Sequence, residues 1–267
     1  MAYEHIKLER DPQGVVTLTL NEPETRNAMS PSMGEEIVRA VAEIRADREA
    51  RVVVLTGAGK SFSAGGDLGM LARDTGARSA DGGPSMKGAP ADFYRRYLSV
   101  RELDVPTIAA VNGHAIGAGL CLALACDMRI AVDSAKMGMT FSRLGIHPGM
   151  GGTYLLPRLV GTAVACELFF TGRIFDAIEA ERLGIVNRAV PADGFAAAVG
   201  DLAGAIASAA PIAVRMTKSS IYRGVDHSLA QMIEFEGLSQ GYTFTTEDAK
   251  EGVNAILEKR TPKFSGR

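Results

Sequence analysis

Two short segments rich in glycine and alanine have the residue types and spacing to do chemistry. Residues 61–68 read SFSAGGDL, and residues 112–127 read NGHAIGAGLCLALACD. Each follows an apolar run typical of a strand, and the second opens into an apolar run typical of a helix. Such loops can bring bare backbone N–H groups to one point, where they stabilise negative charge on a carbonyl oxygen. The pair therefore predicts chemistry on a carbonyl or thioester, held by the backbone rather than by a charged side chain.

Other glycine-rich signatures fail at single positions. Residues 59–61 resemble the end of a phosphate-binding loop, but Val54 stands where that pattern needs its first glycine. Two starts of the dinucleotide-binding pattern lack the third glycine, which is replaced by Phe62 in one and by Leu122 in the other. No GxSxG motif supports a hydrolase serine.

Strands and helices alternate around these two segments. Ser30 and Pro31 begin a helix that runs to about Ala46 with apolar residues at helical spacing. Apolar runs predict strands at 15–20, 52–56, 106–111 and 128–132. Helical patterns follow at 162–170, 176–183, 193–208, 211–223, 226–240 and from 247 to about 259. This order predicts an α/β core with a largely parallel sheet, followed by a helical C-terminal part.

Composition narrows the class of protein. The chain has 267 residues and a net charge of −2, so no overall field favours nucleic acid. Its three cysteines form no CxxC pair and its four histidines have no metal-ligand spacing, so we expect a reducing compartment and no metal. We also expect no export signal, no membrane span and a cytoplasmic location.

Five blocks of the chain resemble the enoyl-CoA hydratase/isomerase (crotonase) superfamily. They are LNEPETRNAM, SFSAGGDL, PTIAAVNGHAIGAGLCLALACDMRIA, RLGIHPGMGGTYLLPRLVG and EDAKEGVNAILEKRTPKF. The resemblance spans nearly the whole chain in order. It implies an α/β crotonase (ClpP-like) spiral of ββα units over residues 1–200, with a CoA groove and an oxyanion hole. A helical trimerisation region over residues 201–267 would follow, giving a homotrimer or a dimer of trimers.

The resemblance also implies roles for individual residues. Gly66 and Ala118 would donate the two oxyanion-hole N–H groups. The CoA groove would be formed by Arg26, Ala28, Ala64, Asp67 and Leu68. The tail residues Lys250, Lys259, Lys263 and Phe264 lie where this family can touch the CoA of a neighbouring subunit. The CoA thioester would be the substrate, with no permanently bound cofactor.

The chain departs from the family at its catalytic acids. Cys121 and Phe141 stand where typical hydratases carry two glutamates, and Gly149 stands at the acidic position of dienoyl-type isomerases. A positioned acid or base contributes on the order of 10²–10⁴-fold, so the loss of both predicts weak or altered hydration. Phe141 would also make the substrate pocket drier and suited to an apolar acyl chain.

Two residues are candidates to replace the missing acids. His147 has a suitable free pKa, and the alternative is a packing or surface histidine. Cys121 could act as a nucleophile if a cation lowered its pKa, and the alternative is a buried, inert thiol. Asp127 follows the same apolar helix and is interpreted as a structural cap or ion pair.

The expected function is therefore that of an acyl-CoA enzyme, named by its family an enoyl-CoA hydratase of fatty-acid β-oxidation. It would hydrate or isomerise a 2-enoyl-CoA through an oxyanion-stabilised enolate. Two alternatives stay open: a non-catalytic acyl-CoA binder or carrier, and another crotonase chemistry such as thioester hydrolysis. Residues 73–90 are polar and rich in Gly, Ser and Pro, and are interpreted as a surface excursion or a lid.

Overall fold

The computed structural model describes residues 2–74 and 90–267, so most of the predicted excursion at 73–90 lies outside the described residues. The strands are β1 (Ile6–Arg10), β2 (Val15–Leu20), β3 (Val52–Gly57), β4 (Ser61–Ser63), β5 (Thr107–Val111), β6 (His114–Ile116), β7 (Met128–Val132), β8 (Lys136–Gly138), β9 (Ile174–Asp176) and β10 (Arg188–Val190). The helices are α1 (Pro31–Ala46), α2 (Leu68–Asp74), α3 (Pro90–Leu98), α4 (Ala118–Ala125), α5 (Gly152–Thr171), α6 (Ala177–Arg182), α7 (Ala192–Ala207), α8 (Pro211–Gly224), α9 (Leu229–Thr243) and α10 (Glu247–Leu257).

A six-stranded sheet forms the centre of the core, in the order β1-β2-β3-β5-β7-β10. Only the β1–β2 pair is antiparallel; the other neighbours in this sheet run parallel. The prediction of a largely parallel α/β sheet is therefore confirmed. The central strands β3, β5 and β7 are buried along nearly their whole length, as expected for parallel strands covered on both faces, and every residue of β5 is buried.

A second sheet, in the order β4-β6-β8-β9, was not expected from the sequence. Each of its strands has three residues, which is too short for an alternating pattern to stand out. Strands β4 and β6 are parallel neighbours, so their carboxyl ends meet at one edge of this sheet. Both glycine-rich loops leave from that edge, and the second sheet therefore brings them together.

Helix α1 begins as predicted. The Ser30 side chain accepts a hydrogen bond from the Met33 N–H at 3.2 Å, and Pro31 occupies the first turn. The buried face then follows the helical repeat through Ile37, Val41 and Ile44.

Helix α5 is longer than predicted and is interrupted. Gly161 adopts φ 75° and ψ 165° inside it, so the helix expected at 162–170 is its second half. The first half contains Pro157 and begins among glycines, which reads in the sequence as a loop. Among the described residues, α5 has the length and apolarity of a membrane span, but Leu156 and Leu168 are buried in the core.

The helices of the C-terminal part pack less completely than the core. Met232 is the buried residue of α9, whereas Leu238 and Ile256 are 76% and 79% exposed. Helix α7 packs on the sheet through Val199 and Ala203. The boundary predicted at residue 200 falls inside α7, and the division into two regions stays a prediction.

Candidate active site

The two glycine-rich loops touch where β4 and β6 end. A Cβ built on Gly65 would lie 2.6 Å from the Ile116 carbonyl oxygen and 3.4 Å from the Ala118 nitrogen. Gly65 also has φ +91°, which an L side chain rarely adopts. Glycine is therefore needed at this point for two reasons, and its absent side chain lets the second loop approach the first.

Two backbone N–H groups remain free at this junction. Gly117 donates its own N–H to the Gly138 carbonyl at 2.8 Å and, as the N-cap residue, turns the chain into α4 with φ 52° and ψ −117°. Ala118 is the first residue of that helix, where no intrahelical acceptor exists for its N–H. Over residues 2–74 and 90–267, neither the Gly66 N–H nor the Ala118 N–H has a hydrogen-bond acceptor. The positive end of the α4 dipole adds to the second donor.

Both donors open into one cavity of about 960 Å³. This volume is within the range of small-molecule sites. The lining is mostly apolar and includes Phe93, Ile116, Phe141, Ile146 and Met150. Of the expected groove residues, Arg26, Ala28, Ala64 and Asp67 also line it. The structure therefore brings the predicted oxyanion donors and most of the predicted CoA residues to one place.

The segment around Arg26 is attached to the first loop through the backbone. The Ala64 N–H donates to the Arg26 carbonyl at 2.9 Å, and the Met29 N–H donates to the Gly65 carbonyl at 2.7 Å. These bonds form an edge-to-edge contact between residues 26–29 and 64–67. One wall of the cavity is therefore continuous with the oxyanion loop.

Asn27 holds this wall in place. It has φ 55°, is fully buried, and its amide nitrogen donates to the carbonyls of Ser61 at 2.8 Å and Ala58 at 3.0 Å. Its side-chain oxygen accepts the Glu22 N–H at 2.9 Å. The sequence reasoning did not single out Asn27, although an asparagine tolerates this left-handed conformation better than most residues.

The expected CoA residues differ in their surroundings. The Arg26 side chain is exposed at the cavity and forms no ion pair within the described part of the chain, so it is available for a phosphate. Asp67 accepts the Met70 N–H at 2.6 Å and so caps α2. Leu68 begins α2, and its side chain lies outside what the structure describes.

The C-terminal tail does not reach this cavity. The Phe264 ring lies beside Gly252 on α10, 3.5 Å from where a Cβ would stand, and its carbonyl accepts from Arg51 at 3.3 Å. The Lys263 N–H donates to Glu251 at 2.8 Å. The predicted contact of Lys263 and Phe264 with CoA concerns a neighbouring subunit and stays a prediction.

The two positions at which the resemblance predicts glutamates, Cys121 and Phe141, are apolar. Phe141 is 8% exposed and lines the cavity, with its ring 3.8 Å from where a Cβ would stand on Gly117. Cys121 is fully buried, and its sulfur lies 3.9 Å from the Met139 sulfur. Burial raises the pKa of the Cys121 thiol to about 12. A thiol in this state favours the inert interpretation over the nucleophile, since the thiolate is the reactive form.

His147 lies on the cavity wall and is exposed. Its Nδ1 is 2.7 Å from the Pro148 carbonyl oxygen. A carbonyl only accepts, so Nδ1 carries the proton and Nε2 has a free lone pair in the neutral ring. The side chain is therefore in the tautomer that a general base needs.

A polar group that the sequence did not reveal lines the same cavity. The Tyr94 hydroxyl, on α3, stands 2.5 Å from where a Cβ would be on Gly149. A side chain at position 149 would require the Tyr94 ring to move, because the hydroxyl occupies that space. Residues 94 and 149 are far apart in sequence, so no spacing pattern could have connected them.

Asp127 has the structural role predicted for it. The Lys218 ammonium lies 2.8 Å from its carboxylate, and the Thr107 N–H and hydroxyl donate to it at 2.7 and 2.9 Å. The Tyr222 hydroxyl donates to its other oxygen at 2.5 Å. These contacts lie at the far end of α4 from the cavity.

Comparisons with known proteins agree with one another. A family model described as enoyl-CoA hydratase/isomerase matches residues 10–267. A probable enoyl-CoA hydratase of Mycobacterium tuberculosis is 39% identical over 267 residues, which is 100% of each chain. The crotonyl-CoA hydratase of Syntrophomonas wolfei is 37% identical over 265 residues, 99% of each chain. The crystal structure of an enoyl-CoA hydratase from Bacillus anthracis matches with a TM-score of 0.91 at 38% identity, covering 99% of this chain and 100% of that one.

Proposed function

This chain belongs to the enoyl-CoA hydratase/isomerase family and has the crotonase fold, and from that premise we propose that it binds an acyl-CoA thioester and polarises the thioester carbonyl. The observation that carries the proposal is the pair of N–H groups on Gly66 and Ala118. Both open into the cavity, and neither has an acceptor among the described residues. A thioester oxygen placed between them would accept both hydrogen bonds, and they would strengthen as an enolate forms.

The groove residues complete the binding mode. Arg26 would hold a phosphate of CoA, and the backbone wall at Ala28, Ala64 and Asp67 would line the pantetheine, with Leu68 following it. The exposed guanidinium and the continuity of residues 26–29 with the oxyanion loop support this arrangement. CoA is then a part of the substrate rather than a resident cofactor.

The reaction proposed is hydration or isomerisation of a 2-enoyl-CoA. In hydration, water adds its OH to C3 and one hydrogen ends on C2, through an enolate whose oxygen lies in the oxyanion hole. His147 is the candidate base, because it lines the cavity and its Nδ1 contact with the Pro148 carbonyl leaves Nε2 free. Because neither Cys121 nor Phe141 supplies a carboxylate, we expect slower hydration than in enzymes with two glutamates.

Turnover of a series of trans-2-enoyl-CoAs tests this proposal. Loss of the conjugated thioester absorbance is followed while acyl-CoA binding is measured in parallel by calorimetry. We expect micromolar-range binding with measurable turnover. Failure to bind any acyl-CoA would contradict the proposal.

A second candidate is an acyl-CoA binder that does not turn its ligand over. The apolar side chains of Cys121 and Phe141 favour it, since neither supplies a carboxylate that could activate water. Binding without loss of absorbance, and without release of free CoA, would support this second function. Release of free CoA would instead support thioester hydrolysis.

Assembly into trimers, or a dimer of trimers, is proposed from the apolar residues that the C-terminal helices leave exposed. Leu229, Leu238 and Ile256 are each more than three-quarters exposed in the single chain. Light scattering after size exclusion tests this, and a monomer would contradict it. The place in fatty-acid β-oxidation and the cytoplasmic location stay predictions.

A further inference from the structure

The Tyr94 side chain contributes a polar group to the lining of a mostly apolar cavity. It fills the space that a side chain on Gly149 would need, and the half-buried ring packs edge-on against Phe93 at 6.2 Å between centroids. The cavity wall around it includes Ile116 and Phe141. Within residues 2–74 and 90–267, the hydroxyl has no hydrogen-bond partner.

The other charged groups near this end of α3 already have partners. Arg95 pairs with Asp92, and Arg96 pairs with Glu35 at 2.9 Å. Tyr97, one turn after Tyr94, donates its hydroxyl to the Ser30 carbonyl at 2.7 Å. Tyr94 therefore differs from its neighbours in having its polar atom directed at the cavity with no acceptor.

This phenol keeps its proton at neutral pH and can therefore act as a hydrogen-bond donor. Burial raises its pKa, and the Cys121 thiol raises it further, so the hydroxyl keeps its proton. Any oxygen that lies beside it will accept a hydrogen bond. The group is therefore suited to holding an oxygen in position rather than to removing a proton.

The position of the Tyr94 hydroxyl relative to the oxyanion donors indicates which oxygen it would hold. The hydroxyl lies beside Gly149, whose carbonyl accepts the Gly152 N–H at 3.0 Å, and the Cys121 sulfur lies 2.8 Å from where a Cβ would stand on Gly152. Cys121 is in turn one helical turn from Gly117, roughly 5 Å along α4. Two carbon–carbon bonds from the thioester carbon to C3, the C3–O bond and one hydrogen bond together span roughly 5–6 Å. The oxygen on C3 of an acyl chain falls in this range.

We propose that the Tyr94 hydroxyl donates a hydrogen bond to the oxygen on C3 of a 3-hydroxyacyl-CoA, and to the same oxygen when it arrives as water. The inference rests on the proposed acyl-CoA function and names the acyl group that this site prefers. Tyr94 gains and loses no proton over the reaction: water supplies the OH on C3 and the hydrogen on C2. It holds the oxygen that two glutamates hold in typical hydratases, without their acid–base chemistry.

The test compares two ligands that differ in this one oxygen, 3-hydroxybutanoyl-CoA (each enantiomer) and butanoyl-CoA. Calorimetry on the wild-type protein should show about threefold to tenfold tighter binding of one hydroxy enantiomer, the value of one neutral hydrogen bond. Tyr94→Phe keeps the ring and removes the hydroxyl, so it should bind butanoyl-CoA as before and lose the preference. Chromatography after each titration checks that the ligand is unchanged.

Tyr97→Phe is the matched control, because it removes a tyrosine hydroxyl from the same helix without touching the cavity. It should keep the preference even if it is less stable. Equal binding of both ligands by the wild-type protein, a preference that survives in Tyr94→Phe, or loss of butanoyl-CoA binding in that variant would each overturn the inference. If the wild-type protein binds neither ligand, the acyl-CoA function itself fails, which is a separate result.

Discussion

The two ends of the apolar helix α4 differ in whether their polar groups have hydrogen-bond partners. At the N-terminal end, Ala118 presents a backbone N–H that has no acceptor among the described residues. At the C-terminal end, Asp127 accepts from Thr107, Lys218 and Tyr222. The helix between them is entirely buried. The comparison shows that the unsatisfied end is available to a ligand, whereas the satisfied end stabilises the fold.

The C-terminal end of α4 also connects helix α8 to the core through hydrogen bonds and an ion pair. Arg129 is 5% exposed and donates to the Cys126 and Ile185 carbonyls, both at 2.7 Å. Lys218 and Tyr222 both belong to α8, so their bonds to Asp127 join α8 to the sheet. A buried charge of this kind needs all its partners, because an unpaired one is expensive to bury.

The largest effect should come from Ala118→Pro, which removes the backbone N–H donor and keeps helix α4 intact. Proline suits the first turn of a helix. The residue before a proline is normally extended, and Gly117, with φ 52° and ψ −117°, has the mirror image of that conformation. Glycine adopts the mirror-image conformation as readily because it has no Cβ. We expect kcat/KM for a 2-enoyl-CoA to fall by about 10²–10³-fold, with the midpoint of urea unfolding unchanged.

Ala118→Gly is its control, since glycine keeps the N–H. It should stay within about threefold of the wild-type kcat/KM, a small loss of helix propensity aside. If Ala118→Pro retained wild-type turnover, the oxyanion role of this N–H would be wrong.

His147→Gln should have the next largest effect. If Nε2 is the base, kcat should fall by about 10²-fold while the Kd for a saturated acyl-CoA stays the same. His227→Gln is a matched control, because His227 is also exposed and its Nδ1 also lies against a backbone carbonyl, that of Arg223 at 2.8 Å. Equal kcat in both variants would exclude His147 as the base.

Asp127→Asn examines the other end of the helix. Removing the charge leaves Lys218 without its carboxylate in a site where the two side chains are 12% and 17% exposed. We expect the free energy of unfolding in urea to fall by about 2 kcal/mol, and kcat at 25 °C to stay the same. Glu102→Gln breaks a pair with Arg45 that is more than half exposed, and should change stability by less than about 0.5 kcal/mol. Equal changes in the two variants would contradict the comparison.

The smallest effect concerns cysteine labelling. With a pKa of about 12, Cys121 should be about 10⁻⁴ thiolate at pH 8, rising about tenfold for each unit of pH up to that value. Cys126 is buried with a similarly raised pKa, whereas Cys166 is partly exposed. Iodoacetamide followed by mass spectrometry should label Cys166 first and the other two only after unfolding. Labelling of Cys121 in the native protein, with loss of turnover, would restore it as a candidate nucleophile.

Long segments with a regular apolar repeat correctly predicted their strands and helices. The strands at 15–20 and 128–132 and the helix from Pro31 to Ala46 are confirmed with the same bounds. The prediction missed the short strands for a physical reason. Three residues are too few to show an alternating pattern of burial, and such a strand is stabilised by its neighbours rather than by its own sequence. The whole second sheet is of this kind, although it is the element that joins the two loops.

The amino-acid sequence by itself determined the α/β class, the family and the two backbone segments predicted to form the oxyanion hole. It also shows that positions 121 and 141, where the resemblance predicts glutamates, carry no carboxylate, since residue types need no geometry. Only the tertiary structure decided which polar groups face the cavity. Tyr94 meets Gly149 because α3 packs against α1 and α4, and His147 takes its tautomer from one carbonyl. Such contacts join residues distant along the chain, and they exist only once the core has packed.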